Sequence, residues 1–232
     1  MWSISLTPSI LDNTKISMFK ETTLKSLYKF TKQRYNSILK MKLQLKLNKY
    51  NDYYYKYNWG SENYPIWEKL FSPQKGNENL NYLEIGTQEG RSAVWLLTNI
   101  LTHESARLTC IDPMHGTDEI IFKHNIKLSG AEHKVTLIKK YSDEALVYLP
   151  ENSFDFIYID GGHQAIHVLT DSVYSWELLK KDGYLLFDDY LWRPENPKHL
   201  RCQYPIDLFL KNYQDKIEVI FKGQQVLVKK LV

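Results

Sequence analysis

One stretch, residues 154–190, limits what this chain can fold into more than any other. It reads FDFIYID, then GGH, then a helical pattern, then LLKKDGYLLFDDY. Phe154–Ile159 is a short apolar, β-rich run that stops at Asp160. Gln164–Leu179 places Ile166, Val168/Leu169, Val173, Trp176 and Leu179 at helical spacing. Asp182-Gly183 is a turn signal, and Tyr184–Phe187 is a second buried strand ending in Asp188-Asp189. Strand, helix and strand in that order predict a right-handed βαβ unit with parallel strands. Their carboxyl ends then open on one edge of a sheet, the edge where α/β folds bind ligands. Asp160, Asp188, Asp189 and His163 are thereby expected at one place.

The same alternation fills most of the remaining chain. Strands are expected over Asn81–Ile85, Arg107–Ile111 and Val135–Lys139, and helices over Ser92–Leu101, Gly116–Leu128, Ser142–Leu149 and Tyr204–Tyr213. Lys216–Phe221 and Gln225–Lys230 flank the turn Lys222-Gly223-Gln224. A closing hairpin must reverse one strand in an otherwise parallel sheet. Aromatic residues make up 14% of the composition, which argues for a packed globule rather than a disordered chain. Two cysteines, Cys110 and Cys202, cannot make a disulfide framework, and Cys110 lies inside an apolar run; a reducing, cytoplasmic setting is expected. No run approaches membrane-spanning length, and the N-terminus has no signal-peptide pattern.

Charge is distributed unevenly. Residues 1–56 hold eleven Lys and Arg against three acids, while the whole chain is only +3, so a basic arm precedes a mildly acidic body. Lys15–Leu39 has the pattern of an amphipathic helix. Leu39–Leu47 alternates strictly and suits either a continued helix or an edge strand. The arm could bind nucleic acid or an anionic membrane, or could pack as a solvated helix face on the domain or on a second subunit, which would give a homodimer. Asn51–Phe71 is dense in aromatics and suits either a lid over an acceptor pocket or packing that seals the arm to the sheet. Residues 1–79 are therefore taken as an N-terminal extension and 80–232 as the main domain.

Glu84-Ile-Gly86-Thr-Gln-Glu-Gly90 joins the first main-domain strand to its helix. Glycines there let the backbone approach a ligand while helix amides point into the site. The spacing is neither a dinucleotide fingerprint nor a P-loop, which suits a ligand without phosphates. Asp112 closes the next strand, where an acid can accept hydrogen bonds from two ribose hydroxyls.

These motifs, with Tyr141-Ser142-Asp143 after the third strand and the two acidic strand ends, resemble class I S-adenosylmethionine-dependent methyltransferases over about Asn81 to Lys230. The resemblance implies a Rossmann-like, doubly wound seven-stranded α/β sheet with a reversed last strand. It implies that Glu84, Gly86, Thr87 and Gly90 surround the methionine and ribose of S-adenosylmethionine, with Asp160 beside them. Asp112 would hold the ribose, and Ser142 with Asp143 would border the adenine. A finer resemblance, to metal-dependent small-molecule O-methyltransferases of the catechol and macrolide-sugar type, implies Mg²⁺ held by Asp160, Asp188 and Asp189 with His163 as base.

The chemistry fits those residue types. A bound divalent ion lowers the pKa of a contacting oxygen by several units, and a neutral imidazole takes a proton near neutrality. Acid pairs at strand ends also serve as caps or position substrates without metal, and His163 could equally contact cofactor or cap a helix. His163 and His167 stand four apart, but without further Cys or His ligands nearby a zinc pair is not expected. Asp171 reads as a packing or pairing residue. Tyr190, Trp192 and Arg193 are expected at the acceptor. The first reading is an O-methyltransferase acting on a small hydroxylated acceptor such as a sugar or natural-product intermediate. The alternatives are metal-independent methylation using His163, or a non-catalytic binding protein using its basic arm. Acids rather than bases on the strand-end edge argue against a nucleic-acid reader.

Overall fold

The structure is a computed structural model that describes residues 48–50 and 53–232. The expected helix over Lys15–Leu39 and the alternating segment Leu39–Leu47 lie outside the described residues. Strands β1 (Asn48–Tyr50) and β2 (Tyr53–Tyr55) pair as a small antiparallel hairpin, followed by helix α1 (Tyr64–Phe71). The main sheet is built from β3 (Asn81–Ile85), β4 (Arg107–Ile111), β5 (Val135–Ile138), β6 (Phe154–Ile159), β7 (Leu179–Phe187), β8 (Ile217–Lys222) and β9 (Val226–Lys230). Between them run α2 (Arg91–Asn99), α3 (Asp118–Leu128), α4 (Ser142–Ala145), α5 (Ala165–Leu178) and α6 (Gln203–Asn212).

The strand order is β5-β4-β3-β6-β7-β9-β8, with five parallel strands and β9 antiparallel to both neighbours. This is the expected seven-stranded sheet with its last strand reversed. The order turns back between β3 and β6, so the loops after these two strands diverge and leave a crevice at the switch point.

Both faces of the sheet are covered, which explains why its strands read as nearly unbroken apolar runs. Leu83, Ile85, Ile157, Ile159, Leu185 and Phe187 point into a core shared with α5 and α6. Their alternate neighbours Tyr82, Leu108, Cys110, Phe156, Tyr158 and Leu186 point into a second core with α1, α2 and α3. Period-two alternation decides which face each residue meets.

The turn signal Asp182-Gly183 does not separate a helix from a strand. Helix α5 ends at Leu178, and β7 starts at once. Phe154 pairs with Leu179 but Phe156 with Tyr184, so the intervening residues form a bulge, with Asp182 at φ 64°. Lys180 closes the bulge onto Asp155 at 2.8 Å.

The aromatic segment before the sheet divides its tasks. Trp67 and Phe71 are 2% and 1% exposed, and their rings meet Tyr158 and Phe156 edge-on at 5.1 and 4.9 Å. Burial of each contributes roughly 1.5–3 kcal/mol. Fully buried Asn125 of α3 pins the hairpin: it accepts from Tyr54 N at 3.0 Å and donates to the carbonyls of Tyr54 and Glu89 at 2.8 and 2.9 Å. Packing thus fixes part of the segment, and the remainder faces the crevice. Among the described residues no helix is long and apolar enough to cross a membrane.

Candidate active site

A cleft of about 600 Å³ opens at the carboxyl ends of β3, β6 and β7. Its floor includes Gly86, Thr87, Gln88, Asp160, Gly161, Asp188 and Asp189, and its walls include His163, Trp192, Arg193, Tyr57, Trp59 and Tyr64. Eight of the residues singled out in the sequence therefore share one cavity: Gly86, Thr87, Asp160, His163, Asp188, Asp189, Trp192 and Arg193. Glu84, Gly90, Asp112, Ser142 and Asp143 do not line it, and each of these has a distinct placement.

Glu84 lies fully buried beneath the loop. Its carboxyl accepts from Thr87 Oγ1 at 2.7 Å, from Ser92 Oγ, and from the Cys110 thiol at 3.6 Å. Burial pushes its pKa up to about 7 against those hydrogen bonds. The side chain braces the loop from below. Gly90 starts α2 at φ 77°, and a Cβ there would stand 2.8 Å from the Phe122 ring, so the glycine answers to helix packing. Gly86 is required by a closer approach: a Cβ would lie 2.0 Å from the Asp160 carbonyl oxygen. The β3 and β6 loops touch there, and backbone bonds Gly86 N to Ile111 O and Asp160 N to Ile85 O lock three strand ends together.

Asp112 accepts from Gln88 N at 2.9 Å on one oxygen and from Met114 N at 2.7 Å on the other. Each carboxylate oxygen has a further lone pair, so the group is oriented but not saturated. Ser142 and Asp143 begin α4 at the end of β5, further along the same edge. Asp171 of α5 is buried beside Ser142 and His167. Burial pushes its pKa up to about 6, with Ser142 and His167 opposing, and no partner meets its oxygens in good hydrogen-bond geometry. Of its two expected roles, it fills the packing one.

The acids hold one another through a tyrosine. Tyr158, buried one turn of the pleat below Asp160, donates to Asp188 Oδ2 and lies 3.2 Å from Asp160 Oδ2. Asp188 Oδ1 accepts the amide of Asp189 at 2.8 Å, with Asp189 in the left-handed region at φ 57°. The Asp189 carboxylate faces His163, whose Nδ1 is 3.4 Å from Oδ2. Burial, and then the charges of Asp188 and Asp189, hold the Asp160 carboxyl well above the usual range. Burial followed by Asp188 raises Asp189, with His163 opposing. Among the described residues no Lys or Arg forms an ion pair with these three acids, so of the side chains only Tyr158 and His163 oppose their mutual repulsion.

Several contributors escaped the sequence reading. Tyr158 had a signal, since it is two residues before Asp160 and must share its face. Gln225, which donates to the Tyr158 hydroxyl at 3.5 Å, and Cys202, which packs against the His163 carbonyl at 3.6 Å, had none. Helix α5 begins at Ala165, so His163 precedes it, and His167 packs over Gly162 instead of joining His163. Tyr190 is buried and donates to Asp207 at 2.8 Å, so it faces α6 and not the cleft, whereas Trp192 and Arg193 do line it.

A seven-stranded sheet with one reversed strand, a glycine loop after its first parallel strand and acids at the ends of β4, β6 and β7 is the arrangement of the class I, Rossmann-like methyltransferase fold. Residues 83–190 match the family described as "Methyltransferase domain". An uncharacterised protein of Acanthamoeba polyphaga mimivirus is 35% identical over 127 residues, 51% of this chain and 56% of that protein, so the match spans little more than half of the relative's length. Among solved structures, an O-methyltransferase from Bacillus cereus in complex with S-adenosylhomocysteine superposes with a TM-score of 0.61 at 17% identity, covering 84% of this chain and 89% of its own. The O-methyltransferase TomG from Streptomyces achromogenes, involved in tomaymycin synthesis and solved with S-adenosylmethionine, gives 0.59 at 16% identity, covering 72% and 80%. At those identities the likeness is one of fold.

Proposed function

We propose that this chain is an S-adenosylmethionine-dependent O-methyltransferase acting on a hydroxyl of a small molecule, with a divalent cation assisting. The observation that carries this reading is the shared cleft: the Gly86–Gln88 loop and the acids Asp160, Asp188 and Asp189 face the same space from adjacent strand ends.

The residues suit both groups. Asp112, aimed by two backbone amides with lone pairs to spare, would hold ribose hydroxyls, and the Gly86–Gln88 backbone would bear on the methionine part. Asp160, Asp188 and Asp189 offer the hard oxygen donors that Mg²⁺ prefers, but their carboxylates do not all come within 4.8 Å of one another, so Asp189 would swing from His163 to complete the set. A divalent cation, when bound, lowers the pKa of an oxygen it contacts by several units. His163, at the mouth with its side chain 41% exposed, would take the acceptor's proton. The adjacent strand ends would set the in-line approach, and Tyr57, Trp59 and Trp192 would flank an acceptor with apolar faces.

A metal-independent variant is favoured by one observation: Asp189 stands 3.4 Å from His163, and an acid in that place orients an imidazole as base without any ion. Calorimetric titration of S-adenosylhomocysteine in Mg²⁺ and in EDTA, repeated on Asp188→Ala, separates the readings. Binding in both buffers, with Mg²⁺ association lost in the variant, supports the cation-assisted enzyme. Binding with no Mg²⁺ association selects the His163 mechanism. No binding in either buffer removes the methyltransferase reading.

A further inference from the structure

Beside the carboxylate edge stands a second set of donors that a Mg²⁺ site does not call for. Cys202 caps the start of α6, 2% exposed, with its thiol 3.6 Å from the His163 carbonyl. His163 Nδ1 and Asp189 Oδ2 face each other at 3.4 Å. One ligand atom from each of His163, Asp189 and Cys202 lies within 4.8 Å of the other two, and among the described residues no other three His, Cys, Asp or Glu side chains meet in this way.

We propose that His163, Asp189 and Cys202 form a three-ligand site for a borderline divalent cation of the Zn²⁺ and Co²⁺ class. Bonds of about 2.0–2.3 Å in a tetrahedron place ligand atoms roughly 3.3–3.7 Å apart. The His163–Asp189 edge, at 3.4 Å, already has that length, and the thiol has at most about 1.5 Å to close. Each ligand comes from a different segment with its backbone fixed. Asp189 is held by its amide bond to Asp188, Cys202 by Ile206 N donating to its carbonyl, and His163 by the β6 strand end before it. His163 and Asp189 line the cleft, so a fourth position faces the acceptor space, the arrangement of catalytic rather than structural zinc sites. A thiolate among the ligands selects softer ions over Mg²⁺. On binding, the S–H bond breaks, sulfur keeps the electron pair for the ion, and the proton leaves to solvent.

The site takes both Asp189 and His163 from the proposed methyltransferase site and so deepens that reading, with the bound ion in place of a free His163 imidazole as the group that activates the acceptor hydroxyl; its existence does not require methyl transfer. Its test is spectroscopic. The full chain, stripped by chelator, is titrated with Co²⁺ and its absorption recorded, with S-adenosylhomocysteine binding measured on the same preparation. The expected result is one Co²⁺ per chain with a near-ultraviolet sulfur-to-cobalt charge-transfer band. Cys202→Ser should abolish the band and weaken Co²⁺ at least tenfold, while Cys110→Ser keeps both. Absence of Co²⁺ binding, binding without the band, or equal affinity in Cys202→Ser would overturn the site. Intact S-adenosylhomocysteine binding with no band removes the metal site alone; a band without S-adenosylhomocysteine binding removes the methyltransferase reading alone.

Discussion

Nε1 of Trp67 donates to Oε1 of Gln225 at 2.7 Å, joining the aromatic segment before the sheet to the residue that leads into its last strand, 158 positions away. Gln225 passes the polarity on, with Nε2 3.5 Å from the Tyr158 hydroxyl, and that hydroxyl serves Asp188 and Asp160. A buried chain of donors thus runs from the N-terminal aromatics to the acids of the cleft. Gln225→Ala leaves a buried indole N–H without an acceptor and is expected to cost about 1–3 kcal/mol in urea unfolding. Combined with Trp67→Phe, the loss should fall short of the sum of the single variants, because both remove one bond. Strict additivity would show that the bond contributes nothing.

The contact between the β3 and β6 loops has a sharp steric test. Gly86→Ala would force a Cβ to within 2.0 Å of the Asp160 carbonyl at a φ of 90°, and at least 3 kcal/mol of destabilisation, or insoluble protein, is expected. Gly116→Ala, at φ 59° with nothing within 4 Å, should cost only about 1–2 kcal/mol from backbone strain. Equal thermal shifts for the two would contradict the close approach.

Glu84 makes stability depend on pH in an unusual direction. Its carboxyl titrates near 4.5 when unfolded and, through burial, at about 7 when folded. Between these values the folded chain holds a proton that the unfolded chain has lost, so its contribution is full below about pH 4.5 and is lost as pH rises through 7. The change is about 3 kcal/mol at 1.36 kcal/mol per unit. Asp171, raised from 3.8 to about 6 by burial, adds a slope of the same sign at lower pH. Glu84→Gln should flatten the unfolding free energy between pH 5 and 7.5, and an unchanged slope would place the titration elsewhere.

Trp59 stacks on Tyr57 with ring centroids 4.2 Å apart and is 61% exposed at the cleft mouth. Removing it should alter stability by less than about 0.5 kcal/mol and leave S-adenosylhomocysteine affinity unchanged. Once an acceptor is in hand, Trp59→Ala should raise its KM about fivefold with little change in kcat, the signature of lost uniform binding. A fall in kcat at constant KM would move Trp59 from the acceptor wall to the reacting centre.

The alternation of strands and helices, the need for one reversed strand in the closing hairpin and the meeting of Asp160, Asp188 and Asp189 at one edge were legible in the residues alone; the seven-stranded sheet followed from the resemblance, and its strand order from the structure. Periodicity, turn residues and crossover handedness are local rules, and an acid just after an apolar run must sit at a strand end. The turn signal at Asp182-Gly183 misled because a bulge and a turn use the same left-handed residue; only the pairing of Phe154 with Leu179 distinguishes them.

What tertiary structure alone decided is which side chains face one another across those ends. Glu84 braces the loop, since the face of β3 that it occupies is buried against Ser92 and Cys110. Asp189 faces His163 at 3.4 Å with its backbone at φ 57°, a conformation no local pattern announced. Cys202, 39 positions beyond His163, reaches it only because the chain after β7 returns to the strand-end edge where α6 starts. Sequence fixes where a chain turns and which face is apolar; long-range packing sets the ångströms between donors, and metal and proton chemistry depend on those.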